Sequence, residues 1–264
     1  MSNEVILSVK DFSLSYEAKY YRAHNVRDLF VSMLKSPIDY FLNAPDRLLV
    51  LSKISFDVKK GERVGILGAN GVGKTSLCRY LSKIIASDKI LLNGEARAIF
   101  ETGLNIYPEL TGLENAILLC ELMYTNISRP EKKALVEEAI LFSDLKDFAN
   151  VPLKNYSKGM KARLFLSLLT AKTSDLIILD EVLGGTDQFF AEKLNSRINK
   201  MIEGSGASII VSHNLDEVSL LCNRVIVLSD RSIAFDGKAQ DGIDFYKNML
   251  SLIHISEPTR PLYI

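Results

Sequence analysis

The sequence lacks three features that would each point to a different class of protein. Its three cysteines, Cys78, Cys120 and Cys222, are far apart and odd in number, so they match neither a disulfide framework nor a metal-ligand spacing. No apolar run approaches the roughly 18 residues that a membrane-spanning helix needs. Lys and Arg total 32, as do Asp and Glu, so no basic excess favours a nucleic-acid partner. We expect buried thiols in a reducing compartment, no membrane span and no nucleic acid.

The N-terminus also lacks a secretory signal, because Glu4 and Lys10 place charges near its start. We therefore expect the chain to stay in the cytoplasm and to reach a membrane only through a partner. What is present is 264 residues of ordinary globular composition, 47% hydrophobic and 24% charged. That length is enough for one large domain, or for a core with a satellite subdomain.

The most informative stretch is 63–76, Arg-Val-Gly-Ile-Leu-Gly-Ala-Asn-Gly-Val-Gly-Lys-Thr-Ser. The apolar run 64–67 predicts a buried strand, and the spacing of Leu77, Leu81 and Ile84 predicts a helix after the loop. A strand, a glycine-rich loop and a helix in this order form the setting of a phosphate-binding P-loop. Glycines allow successive backbone N–H groups to point at a phosphate, and the helix N-terminus adds partial positive charge.

This pattern predicts a nucleotide site with a bound Mg²⁺ ion. Lys74 would reach the β- and γ-phosphates, and the Thr75 hydroxyl would ligate the metal. The other residues of the stretch that we expect to contact the nucleotide are Gly68, Asn70, Gly71, Gly73 and Ser76. The alternative is an ordinary glycine turn before a helix, and the flanking strand and helix patterns argue against it.

Two further apolar runs end in polar residues. The run 176–179 is followed by Asp180 and Glu181, and the run 208–211 leads to His213. Buried parallel strands have continuous apolar sequences, and ligands of α/β proteins gather at strand carboxyl ends. We expect Asp180 to hold Mg²⁺ through water and Glu181 to accept a proton from the attacking water. His213 would contact the γ-phosphate.

Ser157 and Gly159 lie at the start of a predicted helix that contains Leu164, Leu168 and Leu169. A serine cap and a glycine at this position expose backbone N–H groups that can bind an anion. An ordinary helix N-cap explains the same residues equally well, so this stretch alone does not decide between the two.

Other patterns predict the remaining strands. Apolar alternation in 4–16 and the segments 54–58 and 96–100 predict strands, and Ile-Leu-Leu-Asn-Gly at 90–94 predicts a hairpin. Capping boxes at 111–114 and 128–131 predict the starts of two helices.

Residues 17–47 interrupt the strand pattern. Within them, apolar residues spaced over 26–34 predict an amphipathic helix that Asn25 caps. The bland interpretation is a helix packed on its own domain. A local excess of positive charge also suits contact with a membrane partner.

Taken in chain order, the P-loop, the helical segment, Ser-x-Gly, Asp-Glu and His resemble the nucleotide-binding subunit of ABC transporters over roughly residues 4–247. The resemblance implies a Walker A loop at 68–75. It implies that Asp180 and Glu181 are the Walker B pair with its catalytic glutamate, and that His213 is the switch histidine.

The resemblance also places the remaining motifs of that family. Residues 156–160 stand at the signature motif, so Ser157 and Gly159 would bind nucleotide, and Asp187 ends the D-loop. Tyr16 stands where the family has an aromatic residue that stacks on adenine. The Q-loop position holds Glu101 in place of glutamine, and this carboxylate would be a further Mg²⁺ ligand.

Departures from the general pattern narrow the resemblance to the branch that exports polysaccharides such as O-antigen, capsule and teichoic acid-type polymers. The signature lacks its usual second glycine and ends in Met160. Residues 108–115, 158–164 and the insertion at 17–47 are similar to that branch. Members of the branch often have Ala-Val-Gly-Asp where this chain has Gly-Gly-Thr-Asp at 184–187.

The implied fold is α/β: a P-loop (RecA-like) core, an antiparallel β subdomain and a helical subdomain near 105–172, all within an ABC ATPase domain at 1–249. Residues 250–264 resemble an in-frame translation of a sequencing adapter. We expect them to be a non-native tail and leave them out of the fold.

The implied activity is hydrolysis of ATP with Mg²⁺ by a homodimer, each ATP lying between the P-loop of one copy and Ser157 and Gly159 of the other. The partner would be a multi-span membrane permease that carries the glycan, with the chain bound peripherally at the cytoplasmic face of the inner membrane.

Three other classes of protein stay open. One is a soluble ABC-type ATPase that acts on ribosomes or DNA, although a single P-loop and a balanced charge argue against it. Another is a nucleotide-binding module without activity, against which Glu181 argues. The third is a P-loop GTPase, because Asn-Lys-Met-Ile at 199–202 nearly matches the guanine-reading Asn-Lys-x-Asp, with Ile202 in place of the aspartate.

Overall fold

The computed structural model describes residues 4–17, 47–100, 107–180 and 187–256. Its strands are β1 (Val5–Glu17), β2 (Arg47–Lys59), β3 (Arg63–Gly68), β4 (Ile90–Leu92), β5 (Ala96–Phe100), β6 (Leu176–Asp180), β7 (Ala207–Val211), β8 (Arg224–Ser229) and β9 (Ser232–Lys238). Its helices are α1 (Lys74–Leu81), α2 (Gly112–Met123), α3 (Arg129–Phe142), α4 (Lys158–Leu169), α5 (Gln188–Gly204), α6 (Leu215–Leu221) and α7 (Ala239–Ser256).

Six strands form the central sheet in the order β5-β6-β7-β3-β8-β9. All neighbours are parallel except β8 and β9, which form an antiparallel pair at one edge. Every residue of β6 and β7 is buried, as is every residue of β3 except Arg63. Strands covered on both faces need apolar side chains throughout, and this is why the sequence shows these strands as continuous apolar runs.

A second sheet of three antiparallel strands has the order β2-β1-β4. The register of β1 and β2 shifts between Val9 and Phe12, where Asp11 adopts φ 48°. It shifts again between Phe12 and Leu14, where Lys53 on β2 also adopts φ 48°. The first of these shifts explains why the apolar alternation in β1 changes from odd to even positions, since an extra residue moves the following side chains to the other face.

The predicted hairpin at 90–94 is wrong. Strand β4 pairs with β1 in the small sheet, whereas β5 pairs with β6 in the central sheet. The Asn93 amide group donates to Val5 O at 2.9 Å, and Glu95 N donates to Asp175 Oδ2 at 2.9 Å. The Asn-Gly turn therefore carries the chain from one sheet to the other, because each side of the turn is held by a different sheet.

Two apolar cores cover the faces of the central sheet. On one face, α1 and the small sheet pack against alternate residues of β3, β6, β7 and β8. On the opposite face, α5, α6 and α7 pack against the other set. Helix α1, which follows the glycine-rich loop, and the long helix α5 therefore lie on opposite sides of the sheet.

Helices α2 and α3 and part of α4 form a helical subdomain with a core of its own. Both predicted capping boxes are confirmed: Thr111 with Glu114 and Ser128 with Glu131 make the reciprocal bonds at the starts of α2 and α3. The fold is thus the expected α/β core with an antiparallel β subdomain and a helical subdomain.

At the C-terminal end, α7 continues past residue 249 as far as Ser256, with Met249 and Leu250 packed against the core. The domain limit that we expect at 249 stays a prediction, and residues 257–264 lie outside the described residues. None of the helices that the structure describes is long and apolar enough to cross a membrane.

Candidate nucleotide-binding site

Three strand ends lie side by side at one edge of the central sheet. Val211, the last residue of β7, pairs with Asp180 at the end of β6 on one side and with Ile66 of β3 on the other. The P-loop follows β3, and Ser212 and His213 follow β7. The topology therefore brings together the three motifs that the sequence predicts to form one site.

The P-loop folds around the Lys74 ammonium group. Lys74 is buried, and its Nζ donates to Gly68 O at 2.8 Å and to Ala69 O at 3.2 Å. Gly71 and Gly73 have φ values of 81° and 106°, which side chains with a Cβ rarely adopt. At Gly73 a Cβ would also lie 2.7 Å from Val50 of β2, so the small sheet closes over this part of the loop.

The start of α1 differs from the starts of the other helices. No side chain caps it, since Gly73 stands at the cap position. Side chains do cap five of the other helices, the capping residues being Thr111, Ser128, Ser157, Asp187 and Asn214. Asn70, Gly71 and Thr75 are exposed beside it. Backbone N–H groups without a side-chain acceptor at a glycine-rich helix start fit a phosphate ligand.

Asp180 and Lys74 lie close to the same buried thiol. Burial raises the pKa of the Cys78 thiol well above its ordinary value; the nearby Asp180 carboxylate also raises it, whereas the Lys74 ammonium lowers it. Asp180 is buried at the end of β6. A buried carboxylate at the end of β6 and a buried ammonium in the P-loop, at the same edge of the sheet, have the charges that a metal–phosphate site requires.

The predicted Mg²⁺ ligands that the structure describes are Thr75 and Asp180. Both offer oxygen, the donor that Mg²⁺ prefers, and Mg²⁺ at phosphate sites usually keeps water and phosphate oxygens as its other ligands. Among the residues that the structure describes, no three His, Cys, Asp or Glu side chains cluster so as to hold a metal ion.

Tyr16 lies against the P-loop helix. Its hydroxyl donates to Ser76 Oγ at 2.7 Å, and 37% of the residue is exposed. On the same strand, the Phe12 ring contacts the Tyr80 ring with centroids 5.0 Å apart. Strand β1 thus runs along α1, and its last aromatic side chain lies next to the loop, where the resemblance places an adenine-stacking residue.

His213 is exposed directly after β7, at the start of the turn that leads into α6. Ser212, its neighbour, donates to Glu217 Oε2 at 2.6 Å and accepts from Asn214 N at 3.1 Å. Asn214 caps α6. Ser212 and Glu217 thus support this turn, although they were not among the predicted site residues. The signal in the sequence was a serine shortly before an Asn-Leu-Asp-Glu helix start.

Ser157 and Gly159 lie on the helical subdomain. Ser157 is exposed and caps α4 by accepting from Met160 N at 3.1 Å, so the helix-cap interpretation is correct within one chain. Asp187 likewise caps α5, and its Oδ2 lies 3.8 Å from Arg163 Nε of α4. Nucleotide binding by Ser157, Gly159 and Asp187 stays a prediction.

Several predicted positions lie outside the described residues: Glu101, Glu181, residues 184–186 and the insertion between Glu17 and Arg47. Asn115, to which the sequence patterns gave no role, is a buried side chain at the start of the helical subdomain. Its Oδ1 accepts from Tyr107 N at 3.0 Å, and its Nδ2 donates to Tyr107 O, Leu110 O and Thr111 O. This buried amide holds the loop that follows the Q-loop position.

The GTPase interpretation is wrong. Residues 199–202 lie inside helix α5, where Met201 and Ile202 are buried in the core. A guanine-reading motif has to present its fourth residue to the base, whereas Ile202 faces the interior on the side of the sheet opposite to α1.

The central sheet, the P-loop and the three adjoining strand ends define an α/β P-loop nucleotide-binding domain with a helical subdomain. A family model described as "ABC transporter" matches residues 51–184. The chain belongs to the ABC transporter family, as one of its ATPase domains.

Relatives with assigned names are similar over most of the chain. It is 30% identical to the teichoic acids export ATP-binding protein TagH of Listeria monocytogenes over 243 residues, covering 91% of this chain and 69% of that protein. It is 29% identical to the O-antigen export system ATP-binding protein RfbB of Klebsiella pneumoniae over 250 residues, covering 94% of this chain and 100% of that protein.

Solved structures share the fold. An ATP-binding subunit of an ABC transporter matches with a TM-score of 0.68 and 21% identity, covering 95% of this chain and 98% of that one. The ATP-binding cassette MJ0796, a dimer in a post-hydrolysis state with ADP and Pi, matches with a TM-score of 0.65 and 19% identity, covering 88% and 98%.

Proposed function

We propose that this chain hydrolyses ATP as one of two identical copies and thereby drives export of a polysaccharide or lipid-linked glycan through a membrane permease. The observation that carries the proposal is the edge of the central sheet. There the buried Lys74, the buried Asp180 and the turn bearing His213 converge beside the uncapped start of α1.

Each predicted site residue has a task in this proposal. The loop N–H groups and Lys74 bind the phosphates, while Thr75 and Asp180 would hold Mg²⁺, which would supply neutralisation of the phosphate charge. Glu181, next to Asp180 in sequence, accepts the proton of the attacking water, and His213 contacts the γ-phosphate. Glu101 would be a further carboxylate ligand of the metal, and the Tyr16 ring stacks on adenine.

A second copy completes the site. Ser157 and Gly159 are at the start of α4 on the helical subdomain, and Ser157 is exposed for contact with another molecule. In the proposed homodimer they bind the ATP held by the partner's P-loop, with Asp187 close to the interface. The dimeric state of the structurally similar MJ0796 cassette supports this assembly.

The transported substrate is proposed from the named relatives, which serve teichoic acid and O-antigen export. The chain would act at the cytoplasmic face of the membrane, bound peripherally to a multi-span permease that carries the glycan. The proposal includes no nucleic-acid partner, since the charges of the chain balance.

Replacing Glu181 with glutamine tests the enzymatic part. The variant should bind ATP like the parent chain, lose turnover by about 10²–10⁴-fold because the general base is missing, and accumulate as an ATP-bound dimer. Phosphate release measures turnover, and size-exclusion chromatography with light scattering measures the dimer. In that dimer, cysteines introduced near positions 74 and 157 should cross-link between chains.

The matched control is Glu192→Gln, an exposed carboxylate on α5 away from the strand ends. It should keep the parent turnover. Normal hydrolysis by Glu181→Gln would overturn the assignment of the base, and cross-links confined to single chains would overturn the shared site. ATP turnover without any permease-dependent glycan export would favour the soluble ATPase instead.

A further inference from the structure

Two aromatic side chains of the helical subdomain are contacted by cations of the central core. The guanidinium carbon of Arg97, on β5, lies 4.1 Å from the centre of the Tyr124 ring, and both residues are buried. Phe142, the last residue of α3, receives two cations from α5: Lys193 Nζ at 4.6 Å and Arg197 Cζ at 4.1 Å from its ring centre. We call Phe142, Lys193 and Arg197 the Phe142 clamp.

Hydrogen bonds fasten the clamp to the end of α3. Lys193 Nζ donates to Phe142 O at 2.8 Å and to Asp144 Oδ1 at 3.2 Å. Arg197 Nη2 donates to Glu138 Oε2 at 2.7 Å. Lys193 and Arg197 are four residues apart on α5, so both face α3. The C-terminal end of α3 is therefore held through the ring and carbonyl of Phe142 and through the carboxylates of Glu138 and Asp144.

The ring contact matters for Arg197 in particular. Its Nη1 is buried and has no hydrogen-bond partner among the residues that the structure describes. A buried donor of this kind is costly unless another interaction offsets the loss of water, and the face of an aromatic ring attracts a guanidinium group. The Phe142 ring therefore offsets part of the cost of burying this donor, beside the hydrogen bonds of Arg197 to Glu138 and Thr170.

The clamp is linked to both ends of helix α4. Arg197 Nε donates to Thr170 O at 2.9 Å, at the C-terminal cap of α4. Between Phe142 and Ser157 the backbone forms hydrogen-bonded turns that include Phe148 N to Leu145 O, Val151 N to Phe148 O and Tyr156 N to Leu153 O. The Tyr156 hydroxyl donates to Phe148 O at 2.7 Å, immediately before Ser157.

We propose that the Phe142 clamp is a positioning device: it fixes α4, and with it Ser157, relative to the P-loop core so that two chains can close on ATP. This inference rests on the proposed function. Lys193 and Arg197 touch no nucleotide, because α5 packs on the face of the sheet opposite to α1. Loss of the clamp should therefore weaken ATP-driven dimerisation while ATP binding to the single chain is unchanged.

The test compares Phe142→Leu with Phe142→Tyr in the full chain carrying Glu181→Gln. Leucine keeps an apolar side chain but removes the ring face, whereas tyrosine keeps the ring. Phe142→Leu should need about fivefold more ATP, or more still, for half of the chains to dimerise, a typical size for coupling between sites. The ATP concentration that Phe142→Tyr needs for half-dimerisation should stay within about twofold of that of the parent. The affinity of each variant monomer for a fluorescent ATP analogue should also stay within about twofold.

Two further variants separate positioning from folding. Arg197→Lys keeps the charge but loses the planar guanidinium group, which stacks on the ring and donates hydrogen bonds in two directions. It should therefore show the same dimerisation defect, while its circular dichroism spectrum stays that of the folded parent. Lys200→Gln, an exposed cation further along α5, should match the parent. In the double variant Phe142→Leu/Arg197→Lys, the fold-increase in the ATP needed for dimerisation should be smaller than the product of the two single increases. Both substitutions remove the same contact, so their effects are not independent.

The outcomes are distinct. Normal ATP-dependent dimerisation by both Phe142→Leu and Arg197→Lys overturns the clamp and leaves the proposed function standing. Equal defects in Phe142→Leu, Phe142→Tyr and Lys200→Gln also overturn it, because the ring contact would then not be the cause. A Glu181→Gln chain that binds ATP but never dimerises overturns the proposed homodimer, and the clamp with it.

Discussion

At the scale of single residues, the site depends on side chains whose partners lie far away in sequence. Tyr16 reaches Ser76, and the Cys78 thiol lies near both Lys74 and Asp180. Each contact joins the small sheet or the P-loop helix to another part of the core. A residue such as Tyr16 therefore has two tasks to separate: a hydrogen bond to Ser76, and a ring surface next to the P-loop.

Substitutions of Tyr16 separate these tasks. Tyr16→Phe removes the hydroxyl and keeps the ring, so ATP affinity should fall less than about threefold, since one hydrogen bond contributes about 0.5–1.5 kcal/mol and this one lies outside the ligand contact. Tyr16→Ala removes the stacking surface, and stacking on a base contributes about 1–3 kcal/mol, so affinity should fall by about 5- to 160-fold.

Equilibrium binding of a fluorescent ATP analogue measures both variants, with Tyr107→Ala, an exposed tyrosine at the start of the helical subdomain, as the control. Equal losses in Tyr16→Phe and Tyr16→Ala would show that the hydroxyl and not the ring is the important group.

At the scale of elements, the helix starts divide into two kinds. The starts of α2 and α3 are closed by capping boxes, while the start of α1 is left to glycine and faces the strand ends. In the capping boxes, hydrogen bonds from the backbone and side chain of Thr111 and of Ser128 lower the pKa of Glu114 and Glu131 from their ordinary value of 4.5. A lowered pKa means that these carboxylates stabilise the fold only while ionised.

Glu114→Gln tests this linkage. The parent chain should exceed the variant in free energy of unfolding at pH 7, and the difference should shrink as the pH falls below about 4.5 and through the lowered pKa of the folded state. Protonation then removes the same interaction that the substitution removes. Urea unfolding at several pH values measures the difference. A gap that stays constant from pH 7 to pH 3 would show that ionisation of Glu114 contributes nothing.

At the scale of the whole molecule, the insertion between the first two strands leaves from one point of the fold. Glu17 and Arg47 are paired neighbours at the end of the β1–β2 ladder. The residues between them therefore connect two adjacent strand ends, which a short turn would also join. An insertion of this length at a site where two residues suffice is in keeping with a contact outside the domain.

Replacing residues 18–46 with a short Gly/Ser turn should leave ATP binding within about twofold of the parent, since the Tyr16–Leu48 pairing on the retained ladder supports the site. Association with the permease, or glycan export in cells, should fall. Co-purification with the permease and surface glycan measure the two effects. Full export by the shortened chain would show that the insertion only packs on its own domain.

Local patterns in the sequence determined much of this protein: the P-loop, the capped helices and the buried strands that precede Asp180 and His213. These depend on residue types that act on near neighbours, such as glycine in a left-handed turn or serine at a helix cap. The order of the motifs was also sufficient to indicate the family.

Only the tertiary structure decided which strands are neighbours. The Asn-Gly turn after β4 has the local chemistry of a hairpin, yet contacts with Val5 and Asp175 direct it between two sheets. In the same way, Phe142 is an ordinary apolar residue in the sequence, and it becomes a clamp because α5 brings Lys193 and Arg197 to its ring. Such contacts join residues about 50 or more positions apart, and their energy depends on geometry that no local pattern encodes.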